Sequence, residues 1–425
     1  MENPTGNNDL NRLVDHLFRH EAGKMVSVLT RIFGIGKMEL AEDVVQDTLL
    51  KALQQWGYQG VPQNPRAWLY QVAKNRALDV IRHDKLNSTH SSEIKKQFGQ
   101  ETAELLDNQT IFDSGEIKDD QLRMIFSCCH PSLSIESQVA LTLKTLCGFS
   151  IAEIAHAFLS SEETITKRLY RAREKLREEK IAFEIPTGWG FASRLGSVLS
   201  VIYLLFNEGY SSSNSDTHIR EDLCEEAIRL CILLSEHPAG NNPQSYALLA
   251  LMCFNAARFD ARVDDHGSII LLKEQDRSKW NNELINQGIK FLAISSEGEN
   301  FSSYHAEAAI AAAHSLSPTY ELTDWKMIVQ LYDLLLGMKK SQVIELNRAI
   351  AIGQLNGPQQ LLEELNNLHN LNQYYLFHAA KGDAFLQLKD YENARLSFLT
   401  AFGLTSSKPE KELLTRKLKE CSPNN

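Results

Sequence analysis

Lys167, Arg168, Arg171, Arg173, Lys175 and Arg177 place six cations between Thr164 and Arg177 against a single acid, Glu174. On a helix, Lys167, Arg171 and Lys175 recur every four residues and stack on one side. That arrangement lets a helix lie along a DNA major groove while one row grips neighbouring phosphates. A solvated face of a helical bundle would carry the same charges, so the flanking residues decide. The stretch SIAEIAHAFLSSEETITKRLYRAREKLREE, Ser150 to Glu179, reads as helix, tight turn, helix. Ile151, Ile154, Ala155 and Phe158 form an apolar stripe on the first helix, and Ile165, Leu169, Ala172 and Leu176 form one on the second. Ser160 or Ser161 can cap the second helix, whose positive end suits Glu162 and Glu163. With that geometry the basic helix reads as a DNA-contacting element. Glu163, Thr164, Thr166, Lys167 and Arg168, near its start, are the candidates for base edges.

A second cluster lies in NPRAWLYQVAKNRALDVIRHDK, Asn64 to Lys85. It mixes Trp68 and Tyr70 with Arg66, Lys74, Asn75, Arg76, Arg82 and Lys85, a composition that holds an unstacked strand by stacking and backbone charge. A core tryptophan on an amphipathic helix would leave the same trace. Just before it, AEDVVQDTLLKALQQW presents Asp43, Gln46 and Asp47 at i, i+3, i+4, with Val44, Leu49 and Leu53 suited to the buried side. Such a face is ordinarily only solvated; here it is a candidate partner surface.

Three further groups have weaker claims to chemistry. Cys128-Cys129-His130-Pro131 could hold a soft metal, but adjacent helical side chains diverge by ~100°, so buried packing before a Pro-capped helix is expected and no metal site is assigned. The polar run Arg258, Arg262, Asp264, Asp265, Gln275, Asp276, Arg277 and Trp280 could line a ligand pocket, with a salt-bridging and loop-anchoring role favoured. Asn207 to Tyr210 end an apolar helix, and Gly209 is expected in the left-handed cap position. The chain has no GxxxxGK[ST], HExxH or GxSxG, so no catalytic residues, enzymatic activity or cofactor are assigned.

The elements that must position these residues are helices. Apolar residues recur at i, i+3, i+4, i+7 almost throughout and alternating β-branched runs are nearly absent, which predicts an all-α protein. A length of 425 residues favours two to three domains. With 43% apolar and 23% charged residues, the composition fits a globular protein and excludes collagen-like, mucin-like or mostly disordered classes. The seven cysteines form no CxxC pair, which points to a reducing compartment. The N-terminus lacks the pattern of a secretory signal, and the most apolar stretch, Leu195 to Phe206, is 12 residues long where a bilayer span needs ~20. A buried helix, a cytoplasmic location and no membrane partner are expected. A formal net charge of −10 means that any nucleic-acid contact must come from local patches.

Helices from Leu10 to about Leu86 are broken at Phe33 to Gly36 and at Trp56 to Pro65. Residues 87–118, rich in Ser, Gln and Asn and net acidic, read as a linker. Helical patterning resumes from Asp119 to about Lys180 and breaks again at Glu184 to Gly188. In the last segment Gly382, Phe385, Tyr391, Ala394, Phe398 and Ala401 fall where a tetratricopeptide hairpin packs, and Ser341 to Leu365 could supply a neighbouring hairpin. Two such units are fewer than a free-standing solenoid needs.

In order and spacing, AEDVVQDTLLKAL, NPRAWLYQVAKNRALDVIRHDK, the acidic linker and the helix-turn-helix resemble regions 2 and 4 of an extracytoplasmic-function RNA polymerase sigma factor. RLGSVLSVIYLLFNEGY, DLCEEAIRL and ARVDDHGSIILLKEQDRSKWN resemble the long tetratricopeptide-like C-terminal extension of one group of these factors, so the likeness covers nearly the whole chain. The resemblance implies region 2 over residues 9–86, a flexible linker over 87–118, region 4 over 119–182 and the extension over 187–425. It also implies that Asp43, Gln46 and Asp47 dock on the β′ clamp of RNA polymerase core. Arg66, Trp68, Lys74, Asn75, Arg76 and Arg82 would melt and hold the minus-ten element. The helix carrying Glu163, Thr164, Thr166, Lys167, Arg168, Arg171 and Lys175 would read the minus-thirty-five element. The docking motif usually has Glu where this chain has Asp47, which keeps the charge with a shorter reach. The extension would be regulatory, bound by another protein or a small ligand. Two other readings stay open: a helix-turn-helix regulator acting without polymerase, and a tetratricopeptide-type scaffold or ligand sensor with a tethering module at its N-terminal half.

Overall fold

The computed structural model describes residues 4–87, 112–158, 160–211, 219–238, 240–264, 267–298 and 300–421, without the side chains of residues 4–16, 84–87 and His156. Most of the expected linker therefore lies outside the described residues, as do Asp265 and the side chain of Lys85. Every described element is helical apart from one isolated bridge, Val263 to Ile269. The chain divides into two compact units, Met1–Val201 and Ile202–Asn425.

The first unit contains α1 (Pro4–Phe33), α2 (Met38–Gln59), α3 (Pro65–Asn87), α4 (Ser114–Cys128), α5 (Ile135–Thr145), α6 (Ile151–Ala157) and α7 (Glu162–Glu178). Helix α1 is central, packing on both α2 and α4. Leu69, Ala73, Ala77 and Ile81, spaced by four, give α3 a single buried stripe. The break before α3 comes later than the sequence suggests: Trp56 to Gln59 stay helical, and Gly60, at φ +79°, turns the chain. Trp56 is buried against Phe18, with ring centroids 5.4 Å apart, and burying an aromatic outweighs the weak helix preference of Gly57.

Cys128 and Cys129 are buried, the first with its sulfur 3.2 Å from the Thr145 hydroxyl. Burial pushes the Cys128 thiol up to about 12. The following helix is not capped by proline. It starts at Ile135 with Ser134 as its N-cap, the Ser134 hydroxyl accepting from the Ser137 amide, because a serine side chain can satisfy a free N–H and proline cannot.

Helix α8 (Gly188–Tyr210) crosses the boundary between the units. It spans 23 residues rather than the expected 12, long and apolar enough to cross a bilayer by length and composition. Val198, Leu199, Val201, Ile202, Leu205 and Phe206 are nonetheless buried in protein, so it is a core helix. Gly209 is not a left-handed cap. It lies within the helix, where a Cβ would come 2.6 Å from the Cys224 sulfur and 2.7 Å from the Arg220 carbonyl oxygen, so close backbone approach explains it.

The second unit continues through α9 (Glu221–Glu236), α10 (Pro243–Ala256), a short α11 (Phe259–Arg262), α12 (Asn282–Ser295), α13 (Ser303–Leu316), α14 (Trp325–Met338), α15 (Gln342–Asn356), α16 (Pro358–Asn366), α17 (Tyr375–Gln387), α18 (Tyr391–Leu404) and α19 (Lys408–Glu420). Both expected hairpins form, as α15–α16 and α17–α18. Ala394, Phe398 and Ala401 are buried, while Phe385 packs at the edge and Tyr391 stays more than a third exposed. Helix α10 packs against α12 and α13, and α14 against α15, so the hairpins belong to a longer run of stacked helices.

Candidate nucleic-acid interface

Helix α7 is built as its sequence requires. The Ser161 hydroxyl accepts the Thr164 amide at 3.1 Å, so Ser161 is the N-cap rather than Ser160. Ile165, Leu169, Ala172 and Leu176 are all buried, which turns the opposite face to solvent. Glu163, Thr164, Thr166, Lys167, Arg171 and Lys175 are exposed there, and Arg168 is half-buried. Lys167 donates to Glu163 at 2.6 Å, one turn back. Lys175 donates to the Ser132 carbonyl, which draws it from the row with Lys167 and Arg171 toward the α4–α5 turn. Arg171 has no ion pair among the described residues.

Arg173 faces the other way. Its guanidinium binds both carboxylate oxygens of Glu42 on α2, at 2.8 and 2.6 Å, and reaches Glu39 at 3.4 Å. Burial pushes the Glu42 carboxyl above its ordinary range, and Arg173 only partly offsets that. Tyr170, 56% exposed, adds an aromatic ring beside Arg171. It was missed because a tyrosine amid basic residues has no periodic signature of its own, although the apolar stripe Ile165, Leu169, Ala172 already left it on the open side.

Asp43, Gln46 and Asp47 are exposed together on α2. Leu53, expected on the buried side, is 52% exposed, and Leu50 is 55% exposed. The buried stripe of α2 runs instead through Ala41, Val44, Val45, Thr48, Ala52 and Trp56, and a helical period of 3.6 places Leu53 with Gln46 and Leu50. The outward face is therefore acidic at one end and apolar at the other. Two exposed leucines beside two carboxylates make a stronger partner surface than the carboxylates alone.

On α3, Arg66, Asn75, Arg76 and Arg82 are exposed, while Lys74 and Trp68 are half-buried. Arg66 lies 3.0 Å from Glu21, a fully buried carboxylate that also pairs with Lys24 at 2.8 Å and accepts from the Tyr70 hydroxyl. Trp68 sits edge-on to Trp56, with centroids 5.4 Å apart, so part of its ring belongs to the core. Arg76 pairs with Asp47 at 2.8 Å, both about half exposed. Two residues assigned from sequence to different partners thus meet, and the α2 and α3 faces adjoin. Among the described residues, Arg82 has a loose contact to Asp79 at 3.8 Å.

In the second unit most of the polar run anchors loops. Arg262 donates to the Tyr210 carbonyl and lies over its ring at 3.6 Å. Arg277 donates to the His314 and Ser317 carbonyls at 2.7 and 2.6 Å. Gln275 donates to the Ile270 carbonyl, Asp276 accepts from the Ser278 amide, and Asp264 accepts from the Ser268 amide. Trp280 is buried under Arg277. Arg258, held by the Tyr210 hydroxyl, also borders a cavity.

The chain matches Sigma-70 region 2 over residues 17–86 and Sigma-70, region 4 over residues 123–176. Residues 194–296 match a family of unknown function, DUF6596. An uncharacterized protein of Rhizobium meliloti strain 1021 is 35% identical over 376 residues, 88% of each chain. The ECF RNA polymerase sigma factor SigL of Mycobacterium tuberculosis is 31% identical over 143 residues, 33% of this chain and 75% of that protein. SigX of Bacillus subtilis, another ECF RNA polymerase sigma factor, is 23% identical over 137 residues, 32% of this chain and 69% of that protein. No solved structure matches. With both sigma regions present in order, followed by a long helical extension, the chain belongs to the extracytoplasmic-function family of RNA polymerase sigma factors.

Proposed function

We propose that this chain directs RNA polymerase core to a restricted set of promoters and assists opening of the duplex, performing no bond chemistry itself. In this reading residues 9–86 dock on core through Asp43, Gln46 and Asp47, with the β′ clamp as the receiving surface. Arg66, Trp68, Lys74, Asn75, Arg76 and Arg82 hold the minus-ten strand. Residues 119–182 read the minus-thirty-five element through Glu163, Thr164, Thr166, Lys167, Arg168, Arg171 and Lys175. The protein acts in the cytoplasm, and the extension regulates it.

The observation that carries this reading is the open face of α7, capped by Ser161 and held by four buried apolar residues, in the same unit as the exposed carboxylate and leucine face of α2. The test is transcription in vitro with purified core on genomic fragments, with start sites mapped. Starts that need this chain and share two upstream elements are the expected result; no chain-dependent start overturns the reading. In the same assay a chain lacking residues 187–425 should change transcription several-fold, in either direction. Output equal to that of the full chain would make the extension a passive appendage.

A further inference from the structure

In the second unit, residues of α10, α13, α14 and α15 line a cavity of about 430 Å3. That volume is at the small-molecule end of the range for binding sites. Its charged members are Arg258, Glu307 and Lys339, and Leu251, Ile310 and Leu335 supply an apolar floor. The Glu307 carboxylate accepts from the Tyr203 hydroxyl at 2.6 Å, and Arg258 is steadied by the Tyr210 hydroxyl and Asn255. Among the described residues, none of the three charges stands in an ion pair. His314, which borders the same cavity, has its Nδ1 buried without a hydrogen-bond partner.

A half-buried charge held by neutral partners costs desolvation energy that a counter-charge would return. Here opposite charges border one cavity without an ion pair between them: Lys339, exposed at the rim, only partly offsets Glu307, and Arg258 has neutral partners. A monoanion would answer Arg258 and leave Glu307 alone, and an amine would do the reverse. We propose that this cavity binds a small zwitterion with a free carboxylate and a free ammonium, of the amino-acid or short-peptide class. Its carboxylate is taken by Arg258, its ammonium by Glu307, and its side chain by the apolar floor. Arg277 and Arg262, occupied by backbone carbonyls, position the surrounding loops and do not take part.

The experiment is equilibrium dialysis of the full chain against a pool of the twenty amino acids and, separately, a pool of dipeptides, with retained species read by mass spectrometry. No polymerase or DNA is present, so the outcome is independent of the promoter reading. Retention in one pool and not the other identifies the source. At least one retained species is expected, with affinity falling tenfold or more when its amine is acetylated or its carboxylate amidated. Glu307→Gln, which keeps an acceptor for Tyr203, should erase the difference between free and acetylated amine. Arg258→Gln should erase the difference between free and amidated carboxylate. Because Arg258 also holds Tyr210 and its loss can disturb folding, Glu307→Gln alone is sufficient to decide. The proposal is overturned if neither pool is retained, if blocked forms bind as well as free ones, or if Glu307→Gln binds with unchanged preference.

Discussion

Arg171 and Arg173 are two positions apart on α7 and face different surroundings, one open to solvent and one in the Glu42 and Glu39 pair. Arg171→Ala should leave stability within about 0.5 kcal/mol while weakening binding to the upstream duplex. Arg173→Ala should instead destabilise by about 3–5 kcal/mol, because it strands the buried Glu42 carboxylate. Urea unfolding and duplex titration on both variants separate the two effects; equal stability losses would refute the assignment. Asp120 gives a pH signature. It is fully buried, and burial pushes its carboxyl up to about 6 although Arg31 lies 3.0 Å away and Arg123 also binds it. Its folded value thus exceeds its unfolded one, so the proton stabilises the fold: fully below about pH 4, and lost as pH rises through about 6. Asp120→Asn should flatten unfolding free energy against pH between 4 and 6, and an unchanged slope would show that another group carries it.

At the level of the helix, the outward face of α2 predicts its own disruption. Asp43→Arg with Asp47→Arg alters exposed positions and breaks only the half-exposed pair with Arg76, worth about 0–1 kcal/mol. Helicity should be retained while core binding is lost through charge reversal, as measured by co-purification and circular dichroism. Native-like core affinity would remove the docking role. In α17, a Cβ on Gly382 would fall 2.6 Å from the Phe398 ring. Gly382→Ala should therefore cost about 1–3 kcal/mol by overpacking, with partial recovery in Gly382→Ala, Phe398→Leu; no loss in the single variant would show that the hairpin yields. These elements also show what was legible in the sequence. The α7 stripe, its cap and both hairpins could be read because they depend on residues within one or two turns of each other. Leu53, Gly209 and the full length of α8 could not. Each depends on what a distant segment brings up against it: Trp56 on Phe18 holds α2 helical past Gly57, and Cys224 crowds Gly209. The Arg173 pair joins residues 131 apart in sequence, so no local pattern announced it.

For the whole chain, a formal net charge of −10 makes any affinity for DNA a property of one patch rather than of the molecule. The extension adds no such patch: after Glu184 the acidic side chains outnumber the basic ones. The pairing of Arg173 with Glu42 then has a thermodynamic consequence. Binding to DNA gains entropy from the cations that phosphates release, and a guanidinium held by a buried carboxylate displaces none. That leaves, on the open face of α7, Arg168, Arg171, Lys175 and Lys167, whose pair with Glu163 is solvent-exposed and opens at little cost. Four phosphate contacts give a slope of log affinity against log salt of about −3.6. Titrations of the full chain against an upstream-element duplex, without polymerase, should stay at or above that limit. A steeper slope would mean that DNA has separated Arg173 from Glu42, so salt dependence counts the cations α7 commits to the duplex and reports whether its contact with α2 survives binding.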